Sequence, residues 1–227
     1  MSKISPAAGP AGHSTGPAPQ LPGLVEFDPS THQVRIDRSA LPRTSPLIYW
    51  GRGTGGHILP EAVCEARVLL IASRGAARTR EGSVLLARLP EPRSTLLVSG
   101  HADHAAIRSG VAAAREAGAT LVVGLGGGTA LDVAKSVAAL AGQEGEIDPA
   151  AYQLGERQVD ETKALPWIAL PTTSGTGSES TDNAVIELGA EKRSIRGLPP
   201  PRLIIADPAL TDELPFESTA IAAVDAL

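Results

Sequence analysis

The chain is nearly devoid of cysteine and poor in aromatic residues. Cys64 is the single cysteine in 227 residues, so no intrachain disulfide can form, and a reducing compartment, the cytoplasm, is expected. Phe, Trp and Tyr supply only 3% of the residues. The core must therefore rest on Leu, Val, Ile and Ala, with helices lying close against a sheet. No stretch approaches the roughly 20 apolar residues that cross a bilayer, so no membrane contact is expected. Met1 to Pro22 lacks a basic start followed by an apolar stretch, and it is not read as a secretory signal. Basic charge is not in excess either. Twenty Lys and Arg stand against 25 Asp and Glu, a net charge of −5, which argues against nucleic acid as a partner.

What is present is a repeating pattern. Residues 1–22, rich in Pro, Ala, Gly and Ser, read as a disordered tail. Residues 23–46 read as an extension, with Asp28-Pro29-Ser30 as the turn of a hairpin. From Leu47 onward, short apolar runs alternate with helical patterns. Strands are expected at 47–50, 68–72, 94–99, 121–125, 167–170, 184–188 and 203–206. Helices are expected at 58–66, 78–89, 103–117, 129–141 and from Phe216 onward. Residues 51–56 read as a flexible turn and 142–163 as a polar loop. This order predicts an α/β fold with a mostly parallel, Rossmann-like sheet covered by helices on both faces. Ligands of such sheets lie beyond the carboxyl ends of the strands.

Two segments on that edge carry chemistry. The run Gly126-Gly127-Gly128-Thr129 follows an apolar strand and opens a helix. Glycines permit close backbone approach, and the helix start presents free N–H groups and a positive dipole end. Together they suit a pyrophosphate; a tight turn without ligand is the plainer alternative. The run fits neither the P-loop, because Ala134 precedes Lys135-Ser136, nor the usual dinucleotide fingerprint, because Thr129 stands where a sixth-place glycine belongs. Asp132 and Lys135 share one helix face, as an ion pair or with one or both turned to the ligand. The second segment, Pro171 to Glu179, is dense in hydroxyls and glycines and follows another buried strand.

Gly126-Gly-Gly-Thr-Ala-Leu-Asp-Val-Ala-Lys135 and Pro171-Thr-Thr-Ser-Gly-Thr-Gly-Ser-Glu179 resemble the two signatures of the iron-containing (group III) alcohol dehydrogenases. Asp207-Pro-Ala-Leu-Thr211, Leu214-Pro215 and Ala223-Val-Asp-Ala-Leu227 are similar to further stretches of that family. The likeness covers 47–227, and the fold is shared with dehydroquinate synthase and glycerol dehydrogenase. It implies a nucleotide-binding domain at 47–215 and the start of a helical metal-binding domain at 216–227, the rest of that all-helical domain being absent. It implies that Gly126, Gly127, Gly128 and Thr129 hold the pyrophosphate of NAD or NADP. Thr172, Thr173, Thr176, Asp132 and Lys192 would line the rest of the cofactor site, with Gly51 and Gly53 as an earlier turn. Ser73 stands where many members carry a ribose-binding Asp. With Arg74 and Arg78 nearby, NADP is expected to be tolerated.

Asp225 matches the family's first ligand for Fe²⁺ or Zn²⁺. The family's three histidine ligands lie downstream, whereas His13, His32, His57, His101 and His104 lie upstream. The chain alone is therefore not expected to hold the metal. His101 and His104 read as part of a helix cap rather than as a metal pair. The implied function is hydride transfer between the nicotinamide and a small alcohol or aldehyde, in a homodimer. The alternatives are a truncated, non-catalytic nucleotide-binding protein and a dehydroquinate synthase-like lyase.

Overall fold

The strands are continuous aliphatic runs buried on both sides, which dictates a sheet sandwiched between helices. The computed structural model describes residues 25–28, 33–36, 46–91, 93–189 and 191–227. The tail expected at 1–22 lies outside the described residues. In the extension, β1 (Val25–Asp28) and β2 (Gln33–Ile36) pair antiparallel, as a hairpin requires.

The central sheet comprises β3 (Leu47–Trp50), β4 (Val68–Ser73), β5 (Ser94–Val98), β6 (Leu121–Gly126), β7 (Trp167–Pro171) and β10 (Leu203–Ala206). Their order is β3-β10-β7-β6-β4-β5, and every pair is parallel. Along β4, Leu69 and Ile71 enter one core while Val68, Leu70 and Ala72 enter the other. The first core is covered by α3 (His104–Glu116) and α4 (Gly128–Ala141), the second by α1 (Thr54–Val63) and α2 (Arg80–Ala87). Helix α4 is buried throughout from Ala130 to Ala141. Small residues set its approach to its neighbours. A Cβ on Gly124 would lie 2.8 Å from Ala134 Cβ, and one on Gly110 of α3 would lie 2.5 Å from Val137 Cγ2.

Three elements differ from the sequence reading. Helix α1 begins four residues early, inside the expected flexible turn, because Asp207 at the end of β10 receives the N–H groups of Gly53 (2.9 Å) and Gly55 (3.0 Å). That cap comes from a residue far away in sequence. The loop at 142–163 contains a short helix, α5 (Pro149–Gln153), capped by Asp148. The strand expected at 184–188 is β8 (Ala184–Leu188), but it stands outside the main sheet and pairs antiparallel with β9 (Glu191–Ile195). The last helix is α6 (Phe216–Asp225). Among the described residues, no helix is long and apolar enough to cross a membrane.

Candidate functional site

In the sheet order, the chain leaves β4 toward β5 and leaves β6 toward β7, in opposite directions. The crevice between the carboxyl ends of β4 and β6 is thus a topological switch point. Ser73 and Gly126 face each other there. A Cβ on Gly126, whose φ is +152°, would meet Ser73 at 3.1 Å and Ala130 Cβ at 2.7 Å. The Ser73 hydroxyl accepts the Ala76 N–H, and Arg74 and Arg78 beside it are exposed.

Gly127 caps α4 in an extended conformation with no side-chain hydrogen bond. The first turn of α4 therefore keeps the unpartnered N–H groups and positive dipole end that attract anions. The hydroxyl-rich loop after β7 closes over this turn. The Thr172 N–H donates to Gly126 O at 2.9 Å. A Cβ on Gly127 would lie 3.1 Å from Thr173, and one on Gly128 would lie 2.8 Å from Thr176. The glycine run is thus required by the neighbouring threonines, irrespective of any ligand. On the other side, the Thr129 hydroxyl donates to Gly100 O at 3.2 Å, joining α4 to the β5–α3 connection.

Beside these loops lies a cleft of about 430 Å³. Gly128, Thr129, Asp132, Thr176, Lys192 and Asp225 all face it, so six of the residues named from the sequence meet in one place. Gly126, Gly127, Thr172 and Thr173 do not line the cleft; they contact one another beside it. Gly51 and Gly53 do not reach it. They follow β3, at the sheet edge beyond β10 and β7, and Gly53 borders a separate cavity beside α1 and α2.

Asp132 and Lys135 take different parts. Asp132 faces the cleft and accepts the Val185 N–H at 3.0 Å. Burial pushes its carboxyl up, against the pull of that N–H and of Lys135. Lys135 is fully buried and does not line the cleft. Its ammonium donates to Asn183 O (2.6 Å) and to Thr181 O and Oγ1 (both 3.0 Å), and lies 3.8 Å from Asp132 Oδ1. Burial lowers its pKa, with Asp132 opposing. The pair fastens β8 onto α4.

Sequence reading missed His101, Thr181, Asn183 and Glu187, which also line the cleft, as does Ser178 from within the hydroxyl-rich segment. The signal available for His101 was its place just past a strand's carboxyl end. Asp103 caps α3 through the Ala106 N–H at 2.7 Å, as its position suggested. His104 is committed elsewhere, its Nε2 lying 2.7 Å from Gln153 Oε1.

Asp225 reaches the cleft wall, but among the described residues no three of His, Cys, Asp and Glu gather to hold an ion. A single carboxylate is a poor site for iron or zinc, so the residues present do not fit one.

A model of the family described as iron-containing alcohol dehydrogenase matches residues 46–208. Long-chain-alcohol dehydrogenase 1 of Geobacillus thermodenitrificans is 42% identical over 118 residues, 52% of this chain and 30% of that protein. NADH-dependent butanol dehydrogenase A of Thermotoga maritima superposes with a TM-score of 0.68 at 30% identity, covering 80% of this chain and 47% of that one. Sulfoacetaldehyde reductase of Bifidobacterium kashiwanohense, solved in complex with NAD⁺, gives 0.69 at 29% identity, covering 80% and 50%. The chain thus spans about a third to a half of these proteins. With the family model matched over most of its length and the six-stranded parallel sheet in common, the chain belongs to the iron-containing alcohol dehydrogenase family.

Proposed function

We propose that this chain is the nucleotide-binding half of an NAD(P)-dependent alcohol dehydrogenase or aldehyde reductase. The observation that carries the reading is the uncapped glycine start of α4, with Thr172, Thr173 and Thr176 folded over it and a polar cleft beside it. The pyrophosphate would rest on the N–H groups of Gly128 and Thr129. The nicotinamide would extend into the cleft past Asp132, Thr176 and Lys192, and the adenosine would lie toward Ser73. A nicotinamide cofactor held there would supply hydride exchange with a small alcohol or aldehyde. The chain's own part is to bind the cofactor and orient it. We expect this in the cytoplasm, in a homodimer.

Calorimetric titration with NADH tests the reading. Wild type should bind saturably, and Gly128→Val, which drives a side chain into Thr176, should weaken binding at least about tenfold. Absence of binding by wild type would overturn the proposal. Ser73, in place of a ribose-binding carboxylate, and the exposed Arg74 and Arg78 support acceptance of a 2′-phosphate. NADPH should therefore bind within about tenfold of NADH; a strong preference for NADH refutes that part. The donor set around Asp225 favours a second reading, a protein that binds the nucleotide without turning over alcohol. NADH consumption with an aldehyde by the purified chain separates the two.

A further inference from the structure

The cleft poses an electrostatic problem. Three carboxylates line it, Asp132, Glu187 and Asp225, beside a helix start suited to an anion. Carboxylates that close to a phosphate repel it unless cations intervene. The Lys135 ammonium is buried with its three donors taken by Thr181 and Asn183, so it offers none to a ligand in the cleft. The basic groups on the cleft wall are Lys192 and His101.

His101 is unusually well fixed for an exposed side chain. Its connection between β5 and α3 is held at three points. The Thr129 hydroxyl bonds to Gly100 O, the Glu187 N–H donates to Ala102 O at 2.9 Å, and Asp103 caps α3. The imidazole itself is 66% exposed, with Nδ1 3.4 Å from Glu187 Oε1. One ring nitrogen is thereby directed at the Glu187 carboxylate, which leaves Nε2 for a ligand. His104, three residues on, contrasts with it, since Gln153 occupies its Nε2.

We propose that His101, oriented by Glu187, is a further cofactor-contacting residue. In its cationic form, with Nδ1–H directed at Glu187, its Nε2–H donates a hydrogen bond to the pyrophosphate of the dinucleotide on α4. Glu187 is the positioning residue behind it. The proposal rests on the nucleotide-binding reading above and adds a contact that neither signature segment contains.

The test is calorimetric titration of the whole chain with NADH, paired with thermal melts of each variant. His101→Ala should weaken NADH binding about tenfold, the scale of one charge-assisted hydrogen bond. His101→Gln, which keeps a donor, should recover part of the loss. In a Glu187→Gln background the His101→Ala loss should shrink to about threefold, because a ring no longer held contributes less. All three should melt like wild type, because the imidazole is largely exposed. NADH affinity within about twofold of wild type in His101→Ala overturns the proposal. So does a loss matched by a fall in melting temperature, which would mark His101 as merely structural. If wild type itself binds no NADH, the nucleotide reading falls and this contact falls with it. Binding that is indifferent to His101 removes only this inference.

Discussion

Pro60 sits inside α1, where it cannot donate to the carbonyl of Gly56 one turn earlier. The Arg88 guanidinium donates to that carbonyl instead, and its tip lies directly over the Cα of Gly56. Arg88→Ala should therefore cost about 1 kcal/mol, and a double-mutant cycle with Pro60→Ala should show most of that cost disappearing once the backbone N–H returns. Additive effects of the two substitutions in denaturant melts would contradict the compensation. Lys135 works at higher stakes. Lys135→Met removes its bonds to Thr181 and Asn183 and leaves Asp132 buried without its cation, an expected loss of about 3 kcal/mol. Its pH dependence has a definite sign. Burial lowers the folded-state pKa of Lys135 below the ordinary 10.5, so between the two values the unfolded chain binds more protons. Stability due to this group therefore rises as pH climbs through that window. The stability gap between wild type and Lys135→Met should widen as pH rises toward the ordinary lysine value of 10.5; a narrowing gap would show the ammonium to be stabilised rather than penalised by its surroundings.

Elements with strong periodicity were legible from the sequence, and elements made by distant contacts were not. Strands β4, β6, β7 and β10 are continuous apolar runs, as strands buried on both faces must be, and their places follow from composition alone. Helix α1 starts where no local signal lies, since its cap is Asp207, 152 residues beyond Gly55. Strand β9 reads as Glu-Lys-Arg-Ser-Ile, polar and exposed over its first three residues, and only pairing with β8 makes it a strand. The candidate site divides in the same way. The two signature segments announced Gly128, Thr129, Asp132 and Thr176, while His101 and Glu187 joined the cleft through the packing of a connection against a hairpin. Glycine at 124 belongs to this scale too. Gly124→Ala should push α4 away from β6 and cost about 2 kcal/mol by overpacking. NADH affinity should fall with it, because the first turn of α4 moves. Unchanged affinity in a destabilised variant would show that the turn is held by the threonine loop rather than by the helix.

Across the described residues, the buried apolar side chains gather into the two cores flanking the sheet. Helix α6 stands apart from them: Phe216 is 87% exposed and Val224 71% exposed, and none of its residues is buried. Ile221→Ser combined with Val224→Ser should accordingly leave stability within about 0.5 kcal/mol of wild type and raise solubility, as measured by melts and by light scattering. A cooperative loss of structure would mean that the helix carries more of the fold than its exposure indicates.

The Asp207 carboxylate, holding the turn after β3 from the end of β10, also fixes an order of events. Among the described residues, strand β3 pairs with β10 and with no other strand. On a ribosome adding about 5–20 residues each second, Leu47 to Trp50 emerge on the order of ten seconds before Leu203. Through that interval the leading strand of the sheet has no mate. The stretch of polypeptide made early is the stretch seated late, and a chaperone or a neighbouring nascent chain has that long to find it.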